Sequence, residues 1–202
     1  MDERVVEQAV TALRGGRPVV LPTDTVYGLC ADPYRPEPAQ RLHELKGRAE
    51  RRPIALVAAD RETLFECVPE LRGRAEKQMR ALLPGPFTLI LPNPARRFGW
   101  LTGDRPETIG VRVPELPEPT RAVLDAVGAV AATSANLTGR PDPRTLDGVP
   151  VEIRAGCGAL VDGGELPGTP STVIDLTGSK PAILREGAVS AEDALARLAA
   201  LV

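Results

Sequence analysis

The stretch Leu83-Pro-Gly-Pro-Phe-Thr-Leu-Ile-Leu91 carries the chain from a helix into a strand with a very short connection. Apolar residues at helical spacing run from position 75 to Leu83, and Pro84-Gly85 stops the helix. The mostly apolar run from Phe87 to Leu91 then predicts a strand, and Ile109-Gly-Val-Arg-Val113 predicts another. The chain therefore mixes α and β elements.

Further elements are predicted on both sides of this stretch. Helices are expected over residues 3–14, 38–46, 60–68 and 118–127, and a last helix begins at the capping-box-like Ser190-Ala-Glu-Asp193. Strands are expected at 17–21, 53–58, 129–132, 159–161, 171–176 and 182–184, and residues 137–150 are expected to be mostly loop. Because strands and helices do not alternate strictly, we expect an α/β or α+β sheet of mixed strand directions. With no internal repeat and no long linker, residues 1–202 are expected to form a single domain.

Composition excludes several classes of protein. With 43% hydrophobic and 26% charged residues, the chain is not a disordered one. No apolar run of about 18 residues occurs, so no transmembrane helix is expected, and the first residues lack the pattern of a signal peptide. The cysteines, Cys30, Cys67 and Cys157, show no zinc-site spacing, which favours reduced thiols in a cytoplasmic protein.

The charge is unevenly distributed along the chain. A net charge of −2 gives no general attraction for nucleic acid. Residues 41–105, however, hold 13 Lys and Arg against 8 Asp and Glu. A basic segment of this kind is usually a solvated face, but it could also line a site for an anion, and charge alone leaves both interpretations open.

A first polar motif, Pro22-Thr-Asp-Thr-Val-Tyr-Gly28, directly follows a predicted strand. The hydroxyls of Thr23, Thr25 and Tyr27 alternate along it, so several of them could face one cavity. A turn in which Asp24 binds the backbone explains the same residues equally well.

Five more motifs carry charged or hydroxyl groups. Lys46-Gly-Arg48 suits polyphosphate, although cations also stabilise a helix C-terminus. Arg112 interrupts an apolar strand and needs a partner, for which an internal carboxylate is slightly favoured over a ligand carboxylate. Thr133-Ser-Ala-Asn136 suits either a ligand at a strand end or a helix cap. Ser171 enters a strand and Arg185 leaves one.

In their order and spacing, these motifs closely resemble those of the YrdC/Sua5/TsaC family. The matching segments are Pro-Thr-Asp-Thr-Val-Tyr-Gly-Leu from Pro22, Lys-x-Arg from Lys46, Leu-Pro-Gly-Pro-Phe-Thr-Leu-Ile-Leu from Leu83, Gly-Val-Arg-Val-Pro from Gly110, Thr-Ser-Ala-Asn-x-x-Gly from Thr133, Ser-Thr-Val-Ile-Asp from Ser171 and Leu-Arg-x-Gly from Leu184. The resemblance covers residues 16–187 and implies a YrdC-like open twisted mixed sheet flanked by helices, with a large concave basic cavity.

The resemblance also implies an activity. Members of the family are threonylcarbamoyl-AMP synthases, nucleotidyltransferases that form L-threonylcarbamoyladenylate and pyrophosphate from L-threonine, bicarbonate or CO2, and ATP, for the t6A modification of tRNA. Mg2+ is expected only in complex with ATP, and no residue of the chain is expected to be a metal ligand. Hand-off to the threonylcarbamoyl transferase complex and contact with tRNA or duplex RNA are expected partners, and no membrane is expected. The alternative is an RNA-binding module of the same fold, with residues 41–105 as its surface.

Site residues follow from the same resemblance, position by position. The ATP site would comprise the two catalytic cations and three further contacts: Lys46, Arg48, Ser134, Asn136 and Arg185. The L-threonine site would comprise Thr23, Arg112, Thr133 and Ser171. In that arrangement, a ligand carboxylate becomes the partner of Arg112.

Three positions depart from the pattern of many relatives. Ala49 stands where a proline often follows Lys-x-Arg, and Thr138 stands in place of a serine. Val57 matches the position at which some relatives carry a histidine that touches threonine. No histidine base is therefore expected, and His43 is expected to be structural or at the surface.

Overall fold

The computed structural model describes residues 3–47 and 52–201. The helices in these ranges are α1 (Glu3–Arg14), α2 (Pro36–Leu45), α3 (Arg61–Cys67), α4 (Arg74–Leu82), α5 (Glu118–Val127), α6 (Val151–Ala155) and α7 (Ala191–Ala199). The strands are β1 (Val19–Pro22), β2 (Tyr27–Ala31), β3 (Ala55–Ala58), β4 (Phe87–Pro92), β5 (Thr108–Arg112), β6 (Ala129–Ser134), β7 (Ala159–Leu160), β8 (Thr172–Asp175) and β9 (Ala182–Arg185). A short 3-10 turn, Pro69–Leu71, lies between α3 and α4.

The strands of the described residues form one nine-stranded sheet in the order β7-β1-β2-β6-β3-β5-β4-β8-β9. Three neighbouring pairs are parallel, namely β1 with β7, β3 with β5, and β4 with β8. The other five pairs are antiparallel. The prediction of a mixed sheet flanked by helices is confirmed.

Helices cover the two faces of the sheet unequally. One face packs against α2, α3, α4, α6 and α7 in a large apolar core that includes Leu42, Phe65, Met79, Ile153 and Leu198. The other face carries a smaller core in which α1 and α5 pack on β1, β2 and β6. Burying these apolar side chains supplies most of the favourable free energy of folding.

The helices α1 and α5 cover only part of their face of the sheet, and the candidate site lies in the part that they leave open. Strand β4 shows the consequence, since Phe87, Leu89 and Leu91 are fully buried while Thr88 and Ile90 are only half-buried. Successive side chains of a strand point to opposite faces, so Thr88 and Ile90 lie on the part of this second face that no helix covers. The half-buried residues of β5 and β8, such as Gly110, Arg112 and Val173, line the same open region.

The predicted elements are present, with boundaries shifted by up to two residues. The strand expected at 17–21 begins at Val19, the strand expected at 53–58 begins at Ala55, and the helix expected at 38–46 spans Pro36–Leu45. Two elements, β2 and α6, were not predicted. Strand β2 is buried on both faces and contains Gly28, so it shows no alternation that would reveal it. The segment 137–150 is free of helix and strand, as expected.

The N-terminus of α3 provides a test of local stability. The Asp60 side chain accepts a hydrogen bond from the backbone N–H of Thr63, at 2.7 Å. Replacing Asp60 with alanine is expected to lower the free energy of unfolding by about 1 kcal/mol, measured by urea denaturation at pH 7. Asp60→Asn is the control, because asparagine caps a helix equally well. A wild-type value for Asp60→Ala would contradict the assigned cap.

The cap also predicts a dependence on pH. The hydrogen bond from Thr63 lowers the pKa of Asp60 below its usual 3.8. A lowered pKa in the folded state stabilises the protein above the unfolded-state value, and that stabilisation disappears as the pH falls through the lowered pKa. The difference in unfolding free energy between wild type and Asp60→Asn should therefore change only below about pH 4.

Candidate functional site

The open part of the sheet contains a cavity of about 370 Å³. Its floor is formed by half-buried residues of β3, β4, β5 and β8, and its inner wall is apolar, with Leu21, Cys30, Val57, Leu124 and Val130. The charged residues that line it, among those described, are Arg52, Arg112, Asp142 and Arg185. Three guanidinium groups and one carboxylate make the cavity suited to an anionic ligand.

Six of the predicted site residues line this one cavity. They come from the β1–β2 connection, the end of β5, the end of β6, the entrance of β8 and the end of β9. They are Thr23, Arg112, Thr133, Ser134, Ser171 and Arg185. Residues that are far apart in sequence thus converge because these strand ends meet at the open half of the sheet.

Arg112 has an internal partner, as the residue pattern alone favoured. Its Nη2 lies 2.8 Å from Asp24 Oδ1 in an ion pair in which only 13% and 9% of the two side chains are exposed. Two buried atoms of the pair, Arg112 Nε and Asp24 Oδ2, have no hydrogen-bond partner among the described residues. An unpaired buried donor is costly, so Asp24 does not fully satisfy the Arg112 guanidinium.

Burial works against both charges of this pair. It raises the pKa of Asp24 above its usual value, and the nearby Arg112 only partly opposes that change. It lowers the pKa of Arg112, which the Asp24 carboxylate opposes and the positive charge of Arg185 reinforces. An additional anion in the cavity would favour the charged form of Arg112, because it would add a negative charge beside two arginines.

Ser171 and Arg185 are in direct contact. Arg185 donates from Nε and Nη2 to the Ser171 carbonyl oxygen, at 3.2 and 2.8 Å, and from Nη2 to Ser171 Oγ at 3.2 Å. Ser171 Oγ also lies 2.8 Å from Thr88 Oγ1. Residues predicted for the threonine side and the nucleotide side of the site thus share one hydrogen-bonded cluster.

The Thr23 hydroxyl organises the turn between β1 and β2. It donates to the Val26 carbonyl at 2.7 Å and accepts from the backbone N–H groups of Thr25 and Val26 at 3.2 and 3.3 Å. The motif is thus a turn stabilised by the Thr23 hydroxyl, whereas Asp24, predicted to bind the backbone of the turn, pairs with Arg112, and Thr23 and Thr25 also line the cavity. Tyr27 does not line it, because its phenol lies against residues 162–164.

Lys46 is placed differently from the prediction. It is 1% exposed, and its Nζ donates to the carbonyl oxygens of Ser134 and Asn136 and to Asn136 Oδ1, the last two at 2.7 and 2.8 Å. Asn136 Oδ1 also accepts from Ser134 Oγ at 2.6 Å. Neither Lys46 nor Asn136 is among the residues lining the cavity. In this structure Lys46 clamps the segment that follows β6.

The other predicted catalytic cation, Arg48, lies outside the described residues, as does Ala49. Arg52, four positions after Arg48, does line the cavity. The described residues contain no group of three or more His, Cys, Asp or Glu side chains that could hold a metal ion. The three cysteines are free, and burial raises the pKa of the cavity-lining Cys30 to about 12, which makes it a neutral thiol.

Sequence reasoning missed some residues of the site. Thr88 could have been predicted from the alternation of β4, because it is the polar residue on the face opposite Phe87 and Leu89. Asp24 had been interpreted only as a turn residue, although a buried arginine demanded a carboxylate. Asp142 lies in a loop with no periodic pattern, so the sequence offered no signal for it.

Comparisons with known proteins identify relatives of this chain. The model of the Sua5/YciO/YrdC family, described as telomere recombination, matches residues 11–187. Threonylcarbamoyl-AMP synthase of Vibrio campbellii is 35% identical over 186 residues, which cover 90% of this chain and 98% of that protein.

Two solved structures share the fold and some sequence. Pyrococcus abyssi Sua5 complexed with L-threonine has a TM-score of 0.85 and 31% identity, over 98% of this chain and 58% of that one. E. coli YciO has a TM-score of 0.80 and 26% identity, over 96% of this chain and 94% of that one. The chain thus spans little more than half of the P. abyssi protein.

The fold and the cavity define an α/β protein with a site for small ligands. Since the family model matches most of its length, the chain belongs to the Sua5/YciO/YrdC family. No helix within residues 3–47 and 52–201 is long and apolar enough to cross a membrane.

Proposed function

We propose that this protein is an L-threonylcarbamoyladenylate synthase. It would convert L-threonine, bicarbonate and ATP into threonylcarbamoyl-AMP, pyrophosphate and water. The observation that carries the proposal is the convergence of Arg112, Ser171 and Arg185 in one cavity of a chain whose relatives include named threonylcarbamoyl-AMP synthases. These relatives support the synthase and not the RNA-binding alternative.

The chain is an enzyme, as its synthase relatives indicate. We assign it to the nucleotidyltransferases, because the reaction transfers an adenylyl group from ATP to a carbamate. A cytoplasmic location, hand-off of the product to the threonylcarbamoyl transferase complex, and contact with tRNA belong to the same proposal.

The amino-acid end of the site would use Arg112 and Ser171. The Arg112 guanidinium, held by Asp24 at one nitrogen, lines the cavity where the carboxylate of L-threonine would bind. Ser171 Oγ, together with Thr23 and Thr133 on the cavity wall, supplies hydroxyl groups for the remaining polar atoms. The P. abyssi relative was crystallised with L-threonine, which supports this choice of ligand.

The nucleotide end would use the end of β6 and Arg185. Ser134 lines the cavity, and Lys46 fixes it by holding residues 134–136. We propose that Arg48 and Arg185 contact phosphate groups and that Lys46 and Asn136 shape the same subsite. Mg2+ would enter bound to the ATP phosphates, where it neutralises part of their charge.

The chemistry needs positioning and electrostatic stabilisation. The threonine amine and bicarbonate form a carbamate with loss of water, and a carbamate oxygen attacks the α-phosphorus of ATP. The bond from that phosphorus to the bridging oxygen breaks, and pyrophosphate leaves with the electron pair. The cations at this end of the cavity stabilise the negative charge that develops on the phosphates.

The test is release of pyrophosphate from ATP and Mg2+, with L-threonine and bicarbonate added singly and together. We expect release above background only when both are present. Release without threonine, or with bicarbonate removed, would contradict the proposed reaction. ATP binding without release, together with salt-sensitive retention on duplex RNA, would instead favour the RNA-binding module.

A further inference from the structure

A connection without helix or strand crosses from one side of the sheet to the other. We call residues 161–171 the strap, since they join β7 to β8. These strands are first and eighth in the sheet order, so the crossing covers seven strand spacings, up to about 34 Å along a flat sheet. Eleven residues reach at most about 36–40 Å when fully extended. The strap is not fully extended, since Gly164 and Gly168 have positive φ of 74° and 81°, so its contacts with the rest of the protein must fix its course.

The strap lies on the turn that supplies part of the cavity wall. Gly163 packs so closely on Pro22 that an added Cβ would lie 2.6 Å from the Pro22 Cβ. Gly168 N donates to the Thr25 carbonyl at 2.9 Å, and Leu166 N donates to the Arg144 carbonyl at 2.8 Å. The segment from Pro22 to Tyr27 therefore contributes hydroxyl groups to the cavity and also forms the platform for the strap.

Tyr27 contacts the strap at three consecutive residues through a single atom, its phenol oxygen. Its phenol oxygen accepts from Gly163 N at 3.0 Å and donates toward Asp162 Oδ1 at 2.9 Å and the Gly164 carbonyl at 2.8 Å. Asp162 Oδ1 also accepts from Gly164 N at 2.9 Å, which closes the network. The Tyr27 ring is fully buried, so the phenol is a fixed point for an otherwise exposed stretch of strap.

The far end of the strap forms the cluster already described. Pro170 and Ser171 line the cavity, and Ser171 holds Arg185 through its carbonyl and hydroxyl oxygens. This end is closely packed, since a Cβ on Gly187 would lie 2.2 Å from the Pro170 carbonyl oxygen. The position of Ser171 thus depends on how the strap is held at both ends.

We propose that Tyr27 is a positioning residue. By fixing residues 162–164, its phenol holds the first part of the strap whose last residue is Ser171, and through Ser171 it influences the orientation of Arg185. Tyr27 touches no substrate, and its effect on the substrate is exerted through Ser171. The substrate part of this inference rests on the proposed function, whereas the mechanical part does not.

The first test compares Tyr27→Phe with Tyr34→Phe, the same change at the other tyrosine, whose ring is exposed and away from the cavity. Tyr27→Phe is expected to raise KM for L-threonine about tenfold while kcat stays within about twofold, because the site is displaced but still completed on binding. Tyr34→Phe is expected to change neither constant. A wild-type KM in Tyr27→Phe, or equal changes in both variants, would contradict the role of Tyr27.

The second test needs no turnover. A glutamate-specific protease cleaves after exposed Glu165 within the strap, and mass spectrometry measures the rate at that single bond. Tyr27→Phe is expected to speed this cleavage at least tenfold relative to Tyr34→Phe, because it lowers the cost of local opening. Asp162→Ala, which removes an exposed partner of the same phenol and leaves the core intact, should speed it in the same direction. Wild-type cleavage rates in Tyr27→Phe and Asp162→Ala would refute the anchoring role even if the proposed reaction were absent.

Discussion

Replacing Arg112 with methionine is expected to abolish threonine-dependent turnover, with kcat/KM for L-threonine reduced about a thousandfold. The substitution removes the guanidinium that is proposed to bind the substrate carboxylate and leaves a neutral, unbranched side chain. Truncating one partner of a buried charged contact typically costs about 2–5 kcal/mol, and a thousandfold loss corresponds to about 4 kcal/mol. Steady-state pyrophosphate release and calorimetric titration with L-threonine measure the two consequences. A variant that loses ATP affinity but keeps threonine affinity would show that the two ends of the cavity have been assigned the wrong way round.

Changing Asp24 together with Arg112 separates the effect of Arg112 on the free energy of unfolding from its effect on activity. Arg112→Met alone leaves Asp24 buried without its partner at 2.8 Å, which is expected to lower the unfolding free energy by about 3 kcal/mol. The double variant Asp24→Asn/Arg112→Met removes both charges and should recover most of that stability while remaining inactive. Recovery of activity in the double variant would mean that Arg112 serves only to neutralise Asp24.

The single variant should also show a distinct pH dependence. Burial raises the pKa of Asp24, and loss of Arg112 raises it further. A carboxyl group whose pKa is higher in the folded state binds more protons when folded, so stability rises as the pH falls through the raised pKa. Urea denaturation between pH 7 and pH 4 should show this rise in Arg112→Met and a smaller one in the double variant.

Lys46→Met is the second variant with a large expected effect. It removes an ammonium that is 1% exposed and that donates to the carbonyl oxygens of Ser134 and Asn136 and to Asn136 Oδ1. We expect a loss of about 3 kcal/mol in unfolding free energy without any ligand, and a fall of at least about a hundredfold in kcat/KM for ATP. Lys180→Met, at an exposed lysine outside the cavity lining, is the matched control and should behave as wild type.

The stability of ligand-free Lys46→Met distinguishes two roles for this residue. A lysine that only contacts ATP phosphates would leave the ligand-free protein as stable as wild type after substitution. A lysine that clamps residues 134–136 would destabilise the ligand-free protein, as the three contacts of its Nζ indicate. Thermal unfolding without ATP, followed by ATP titration, separates the two.

The fold was predictable where residue patterns are local. The helix stop at Pro84-Gly85 and the strand that follows it appear as predicted, and both Asp60 and Ser190 cap their helices. Strand β2 was not predictable from periodicity, because burial on both faces removes the alternation that marks a strand. Its place between β1 and β6 is set by tertiary pairing.

The sequence predicted which residues line the cavity better than it predicted which atoms those residues contact. The resemblance selected residues that do converge on the cavity, among them Thr23, Arg112 and Ser171. The sequence could not indicate that Lys46 would be drawn inward onto the end of β6, since that depends on a packing between segments about 90 positions apart. The burial of Arg112 did demand a carboxylate, but only the folded turn identified Asp24 as that residue.

The most direct measurement follows the carbon atom of bicarbonate into the product. The protein is incubated with ATP, Mg2+, L-threonine and 13C-labelled bicarbonate, and the products are analysed by mass spectrometry. We expect threonylcarbamoyl-AMP that carries one 13C, formed in equal amount with pyrophosphate and missing in Arg112→Met. Pyrophosphate without the labelled adenylate, or a labelled adenylate formed equally well by Arg112→Met, would contradict the proposed reaction and the assignment of its threonine site.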